Sequence, residues 1–139
     1  MNQPDFDLPI LLVDDDAMVR SVLLEYLKEF GFKHVIDTKD PQKALKLIQD
    51  PSVSIGLILS DWEMPGLSGL TLLKAARNAP HRRQTKFIMI TSQQSMERFK
   101  VTQAAQLRVS SYLVKPFQAD TLKERIWKVM GWKLEDIAV

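Results

Sequence analysis

The sequence predicts an α/β domain: a doubly wound sheet of five parallel strands with helices on both faces. Short apolar runs alternate five times with segments of helical period, the alternation that strands joined by crossover helices produce. The runs are nearly uninterrupted, as strands covered on both faces are. A chain of 139 residues also fits one domain and buries enough surface to fold without a disulfide or metal staple. We expect a single domain over residues 1–139, with its core at about 8–130 and an extension at 131–139.

Pro9–Val13 is the first strand and stops at Asp14, Asp15 and Asp16. From Ala17 to Phe30 the apolar positions follow a helical period, and Gly31 stands where a left-handed C-cap belongs. Lys33–Asp37 is a short second strand. Asp40 and Pro41 read as an N-cap and a first-turn proline, opening a helix to Gln49. Ser54–Ser60 is a buried strand ending at Asp61, and the loop Gly66–Gly69 leads to a helix over Leu70–Asn78. Lys86–Ile90 is a strand ending at Thr91, and Met96–Leu107 a helix. Tyr112–Val114 is a strand ending at Lys115, and Thr121–Met130 the last helix.

Composition removes several classes of function. There is no cysteine, so disulfides, thiolate nucleophiles and sulfur-ligated metals are excluded. No apolar run approaches the roughly 18 residues of a membrane span, and the acidic opening MNQPDFDLP is unlike a secretory leader. We therefore expect a cytoplasmic protein with no membrane association. The net charge of +2 conceals two unlike halves. Residues 1–80 hold 8 basic and 12 acidic residues, a charge of −4, and residues 81–139 hold 11 and 5, a charge of +6. Without a strongly basic domain, no nucleic-acid partner is expected.

Ligands of open parallel sheets bind at the carboxyl ends of strands, near the point where strand order reverses. Those ends deliver Asp14 and Asp15, Asp61, Thr91 and Lys115. Singly, each has a plain structural reading: an aspartate after a strand is usually a turn or cap residue, and Asp16 fits that reading best. The coincidence of ionisable or hydroxyl groups at four of five strand ends points instead to a site. Three carboxylates, one lysine and one Mg²⁺ sum to zero charge, a pocket fit to receive a phosphoryl group. Thr91 adds a hydroxyl donor and Lys115 a point charge.

The segments LLVDDD (Leu11–Asp16), LSDWEMPGLSG (Leu59–Gly69), MITS (Met89–Ser92) and YLVKPF (Tyr112–Phe117) resemble the receiver domains of bacterial two-component response regulators, above all the stand-alone chemotaxis regulators. The resemblance implies a flavodoxin-like (βα)5 sheet of order 2-1-3-4-5 and a phosphorylation-dependent switch. Asp61 would accept a phosphoryl group from the phosphohistidine of a sensor histidine kinase or phosphotransfer protein, or from a small phosphodonor. Asp15 and Asp61 would ligate Mg²⁺ directly, Asp14 mainly through water, and the Glu63 backbone carbonyl would complete the set. Thr91 and Lys115 would meet the phosphoryl group, Tyr112 would turn inward when Thr91 is engaged, and the Lys115–Pro116 bond would be cis. Output would pass through the helix 4–strand 5–helix 5 face to a downstream protein, from a monomer or a phosphorylation-dependent dimer. The only catalysis expected is self-directed phosphoryl transfer and its reversal by hydrolysis.

Some positions depart from the family pattern. Ser92 stands where a smaller residue is usual, and Glu63 and Gln93 flank the site. Arg108 and Pro41 replace common glycines. The run His81-Arg82-Arg83 reads as a solvated loop, His34 and His81 as satisfied surface histidines, and Trp62 as packing beside the site. Trp132 and Ile137 would dock on the body or fray. A competing reading takes VDDDAM as the D-x-D of a haloacid-dehalogenase-type phosphatase, with Asp14 as nucleophile and Asp16 as acid. It leaves Asp61–Gly69 unexplained. A third reading is a degenerate receiver acting as a constitutive scaffold, which the five signature residues argue against. An opening Met1 and no trailing linker favour a complete stand-alone chain over a receiver fragment of a larger regulator.

Overall fold

The computed structural model describes residues 3–96 and 104–134. Five parallel strands form one sheet of order β2-β1-β3-β4-β5: β1 Ile10–Val13, β2 Val35–Thr38, β3 Leu57–Asp61, β4 Lys86–Ser92 and β5 Ser111–Lys115. The helices are α1 Ala17–Phe30, α2 Pro41–Gln49, α3 Gly69–Asn78, α4 Gln93–Met96 and α5 Ala119–Met130, with a 3-10 turn at Pro80–Arg82. Successive side chains of a strand point to opposite faces, and the core divides accordingly. Ile10, Leu12, Leu57, Leu59, Ile88, Ile90 and Leu113 pack with Leu23 and Leu27 of α1 and Leu122, Ile126 and Trp127 of α5. Leu11, Val13, Ile58, Phe87 and Met89 pack with Ala44 and Ile48 of α2 and Leu72, Leu73 and Ala76 of α3. Burial on both faces is why the strands read as unbroken apolar runs.

The caps behave as the sequence predicts. Asp16 Oδ1 accepts from the amides of Met18 and Val19 at 2.9 and 3.2 Å, and Gly31 closes α1 at φ 109°. Asp40 caps α2 ahead of Pro41. The bond between Lys115 and Pro116 is cis. Arg108 adopts φ 58°, the left-handed conformation that explains why glycine is usual there.

Several boundaries differ from expectation. β2 starts two residues later than Lys33 and takes in Thr38, because the Lys33 amide is engaged by the Phe6 carbonyl. β3 starts at Leu57, opposite Ile10, and the Gly56 amide before it shares the Pro9 carbonyl. β4 runs on to Ser92, which pairs with Lys115, and helix starts at Gln93. Of the helix expected at Met96–Leu107, residues 97–103 lie outside those described, as does Ile137.

The solvated reading of His81-Arg82-Arg83 is corrected at Arg82, while His81 and Arg83 are exposed. Arg82 is buried, and its guanidinium donates to the carbonyls of Leu47, Ile48, Asp50 and Val53. It thereby satisfies the open carbonyls at the end of α2 and the turn after it. His81 Nε2 also lies 3.1 Å from the Ile48 carbonyl. Trp132 docks as one of the expected alternatives, edge-on to Trp127 at 5.2 Å and stacked on Phe32 at 6.0 Å.

Candidate functional site

Strand order reverses between β1 and β3, with β2 on one side and β4 and β5 on the other, so a crevice opens at their carboxyl ends. Val13 pairs with Ser60, which sets Asp14 and Asp61 side by side one residue further on. Asp14, Asp15 and Asp61 each present a carboxylate oxygen within 4.8 Å of the others. Asp14 and Asp61 are buried and Asp15 is exposed. Lys115 Nζ, from the end of β5, stands 3.3 Å from Asp61 Oδ1 and 3.9 Å from Asp14 Oδ2. A hollow of about 190 Å³ over Asp61 is lined also by Trp62, Glu63, Thr91, Ser92 and Lys115.

Electrostatics follow from this crowding. Burial, reinforced by Asp14, pushes the Asp61 carboxyl up to about 6 against the pull of Lys115. Burial also raises Asp14, opposed by the Asp16 amide that donates to Asp14 Oδ1 at 2.9 Å and by Lys115. The other oxygen, Asp14 Oδ2, is buried with no hydrogen-bond partner. A buried carboxylate oxygen left without a hydrogen bond is costly, and a hard divalent cation is a ligand that would satisfy it. The donor set, all oxygen, fits Mg²⁺.

Every site residue named from the sequence as a strand end reaches this crevice: Asp14, Asp15, Asp61, Thr91 and Lys115. Thr91 is buried, with Oγ1 3.5 Å from the Ser92 carbonyl. Glu63 lies on the rim of the hollow. Tyr112 stacks nearly parallel on Trp62, with ring centroids 6.2 Å apart. The packing reading of Trp62 therefore holds, with Tyr112 as its partner. Asp16 is spent on capping α1, which removes the acid from the D-x-D phosphatase reading.

Three positioning residues were not found from sequence. Arg20 donates Nη1 to the Asp14 carbonyl at 2.8 Å and pairs Nε with Asp37 Oδ2 at 3.3 Å, tying the ends of β1 and β2. Its one signal was a cation four residues beyond Asp16. Gly69 begins α3, its amide donating to the Trp62 carbonyl at 2.8 Å. A Cβ there would collide with the Asp61 carbonyl oxygen and lie 2.7 Å from the Met89 sulfur, so the backbone of the site requires glycine. Arg77 donates to the carbonyls of Leu107, Thr85 and Arg108, fixing the approach to β5.

Comparison with known proteins gives the same picture. The family model described as "Response regulator receiver domain" matches residues 10–127. The chain is 34% identical over 122 residues to the chemotaxis protein CheY of Pseudomonas aeruginosa, covering 88% of this chain and 95% of that one. It superposes on the solved chemotaxis response regulator CheY4 of Vibrio cholerae with a TM-score of 0.78 at 29% identity, covering 88% and 98% of the two chains. The receiver domain of sensor histidine kinase PA1611 from Pseudomonas aeruginosa, described with magnesium in its active-site cleft, shares the fold at a TM-score of 0.77 and 23% identity, covering 89% and 98%.

Proposed function

The chain belongs to the response regulator receiver domain family, and from that premise we propose that it is a cytoplasmic, single-domain phospho-switch with Asp61 as acceptor. The observation that carries this reading is the 3.3 Å approach of Lys115 Nζ to Asp61 Oδ1 beside two further carboxylates. Asp14, Asp15 and Asp61, with the Glu63 backbone carbonyl, would hold Mg²⁺. The metal supplies charge neutralisation and a template for the incoming phosphoryl group.

An Asp61 oxygen attacks phosphorus as the bond to the donor breaks, and the donor nitrogen or oxygen leaves with its electron pair. Lys115 faces the charge that develops on the phosphoryl oxygens, and the Thr91 hydroxyl donates to one of them. Conversion of Asp61 to an acyl phosphate adds about one negative charge and new acceptors. That change draws Thr91 and Lys115 inward and, through the space Thr91 vacates, biases Tyr112 on its Trp62 platform. Tyr112 then reports to the β5 face, where a downstream protein or a second copy binds.

The donor's docking surface lies next to the hollow. Exposed Met18 and Val22, with Phe117 and Pro116, line an apolar groove of about 390 Å³ that shares Lys115 with the site. A helix carrying the phosphohistidine would bury its apolar face there.

The test is incubation with Mg²⁺ and acetyl phosphate, borohydride trapping and peptide mapping. Label at Asp61, absent in Asp61→Asn, is expected; label at Asp14 would overturn the assignment. Partner capture by beryllofluoride-treated protein, compared with Asp61→Ala, tests the switch itself, and equal capture by both would leave a constitutive scaffold.

A further inference from the structure

The amino ends of β4 and β5, at the opposite edge of the sheet from Asp61, form a concavity of about 720 Å³ walled by Lys86, Arg108, Ser110, Ser111, Arg125 and Lys128. A smaller hollow of about 130 Å³ shares Lys86, Arg108 and Ser110 with it and adds Arg83. Among the described residues, no carboxylate lines either hollow. Among the described residues, Lys86, Arg108 and Lys128 are in no ion pair. Arg125 donates Nε to the Tyr112 carbonyl at 3.1 Å and Nη1 to exposed Glu124 at 3.3 Å.

The arrangement is held in place. Arg108 keeps a left-handed backbone, φ 58°, because the buried Arg77 guanidinium grips the Leu107 and Arg108 carbonyls at 3.0 and 2.9 Å. That conformation is unfavourable for any residue but glycine, and here it places an arginine in the wall of both hollows. Arg77 is held below the usual guanidinium range by burial and by its neighbour Arg108. Ser110 Oγ accepts from the Phe87 amide at 2.9 Å, which leaves its own proton to donate.

We propose that this basic hollow binds a compact polyanion carrying two or more phosphate groups. Arginine forks and hydroxyl donors match phosphate oxygens, and the volume is that of a small-molecule site. An acidic protein segment would spread its charge along an extended chain, whereas these cations border one concavity. The proposal is independent of phosphorylation at Asp61.

Isothermal titration of the full chain with sodium tripolyphosphate, without Mg²⁺ and at low salt, tests it. Saturable binding is expected, unchanged in Asp61→Asn and weakened about tenfold or more by Arg108→Gly with Lys128→Gln. Glycine suits φ 58°, so the double variant should fold, and its urea midpoint checks that. Affinity should also fall as salt rises. ATP titrated in parallel identifies the source: tighter binding than tripolyphosphate means a nucleotide, and weaker binding means a phosphate chain alone. No saturation in the millimolar range, equal affinity in the double variant, loss of binding in Asp61→Asn, or equally tight binding of a decaglutamate peptide would each overturn the proposal.

Discussion

The two ends of the sheet are built from the same strands and carry opposite charge. At the carboxyl ends, Asp14, Asp15 and Asp61 crowd together with a single lysine among them. At the amino ends of β4 and β5, Lys86, Arg108, Arg125 and Lys128 border one hollow with no acid among the described residues of its wall. Between the ends lie the interiors of β1, β3 and β4, where Leu11, Leu12, Ile58, Leu59, Phe87, Ile88 and Met89 are fully buried. Such a core transmits strain but cannot tolerate charge. The opposite charges are thus kept apart by a rigid apolar spacer, and each end can be disturbed without the other.

The most damaging way to break the comparison is at Gly69. Gly69→Ala forces a methyl against the Asp61 carbonyl, and we expect a loss of about 3 kcal/mol by urea denaturation, together with slower phosphorylation. Arg82→Ala comes next. It strands the carbonyls that close α2, at about 2–4 kcal/mol, and should leave acetyl-phosphate labelling of the remaining folded protein unchanged.

A pH experiment separates the acidic end more finely. Asp61 holds its proton up to about pH 6 in the fold but loses it near pH 4 in the unfolded chain. Between those values the native state binds more protons than the unfolded state, so this residue lowers metal-free stability as pH rises. The loss is complete above the folded value. Asp61→Asn should therefore match the wild type near pH 4 and exceed it by on the order of 2–3 kcal/mol at pH 7. A difference independent of pH would contradict this origin. Mg²⁺ affinity of the wild type should weaken as pH falls through 6, followed by titration of Trp62 fluorescence. The smallest effect belongs to the basic end: Lys128→Gln should change stability by less than about 0.5 kcal/mol, measurable by the same denaturation.

Much of the acidic end was legible in the sequence because its residues punctuate apolar runs. A carboxylate directly after four or five buried residues can only lie at the strand's end, and α1 and α2 are delimited by local cap chemistry at Asp16, Gly31, Asp40 and Pro41. What escaped depends on pairs distant in sequence. Arg82 looks like a loop cation until its partners 29–35 residues away are known. Arg77 is likewise an ordinary helix residue until the turn before β5 folds onto it. The start of β2 shifted because a tertiary acceptor at Phe6 took the Lys33 amide that local pattern had assigned to the strand, and β3 starts only where Leu57 comes opposite Ile10.

The docking of Trp132 has an optical corollary. Trp127 and Trp132 meet edge to face at 5.2 Å, a separation at which indole transitions couple and give near-ultraviolet circular dichroism that vanishes with the fold. Trp62, stacked on Tyr112 beside Asp61, is the indole that adjoins the site. Dichroism from the Trp127–Trp132 pair therefore follows folding of the α5 end of an unlabelled chain.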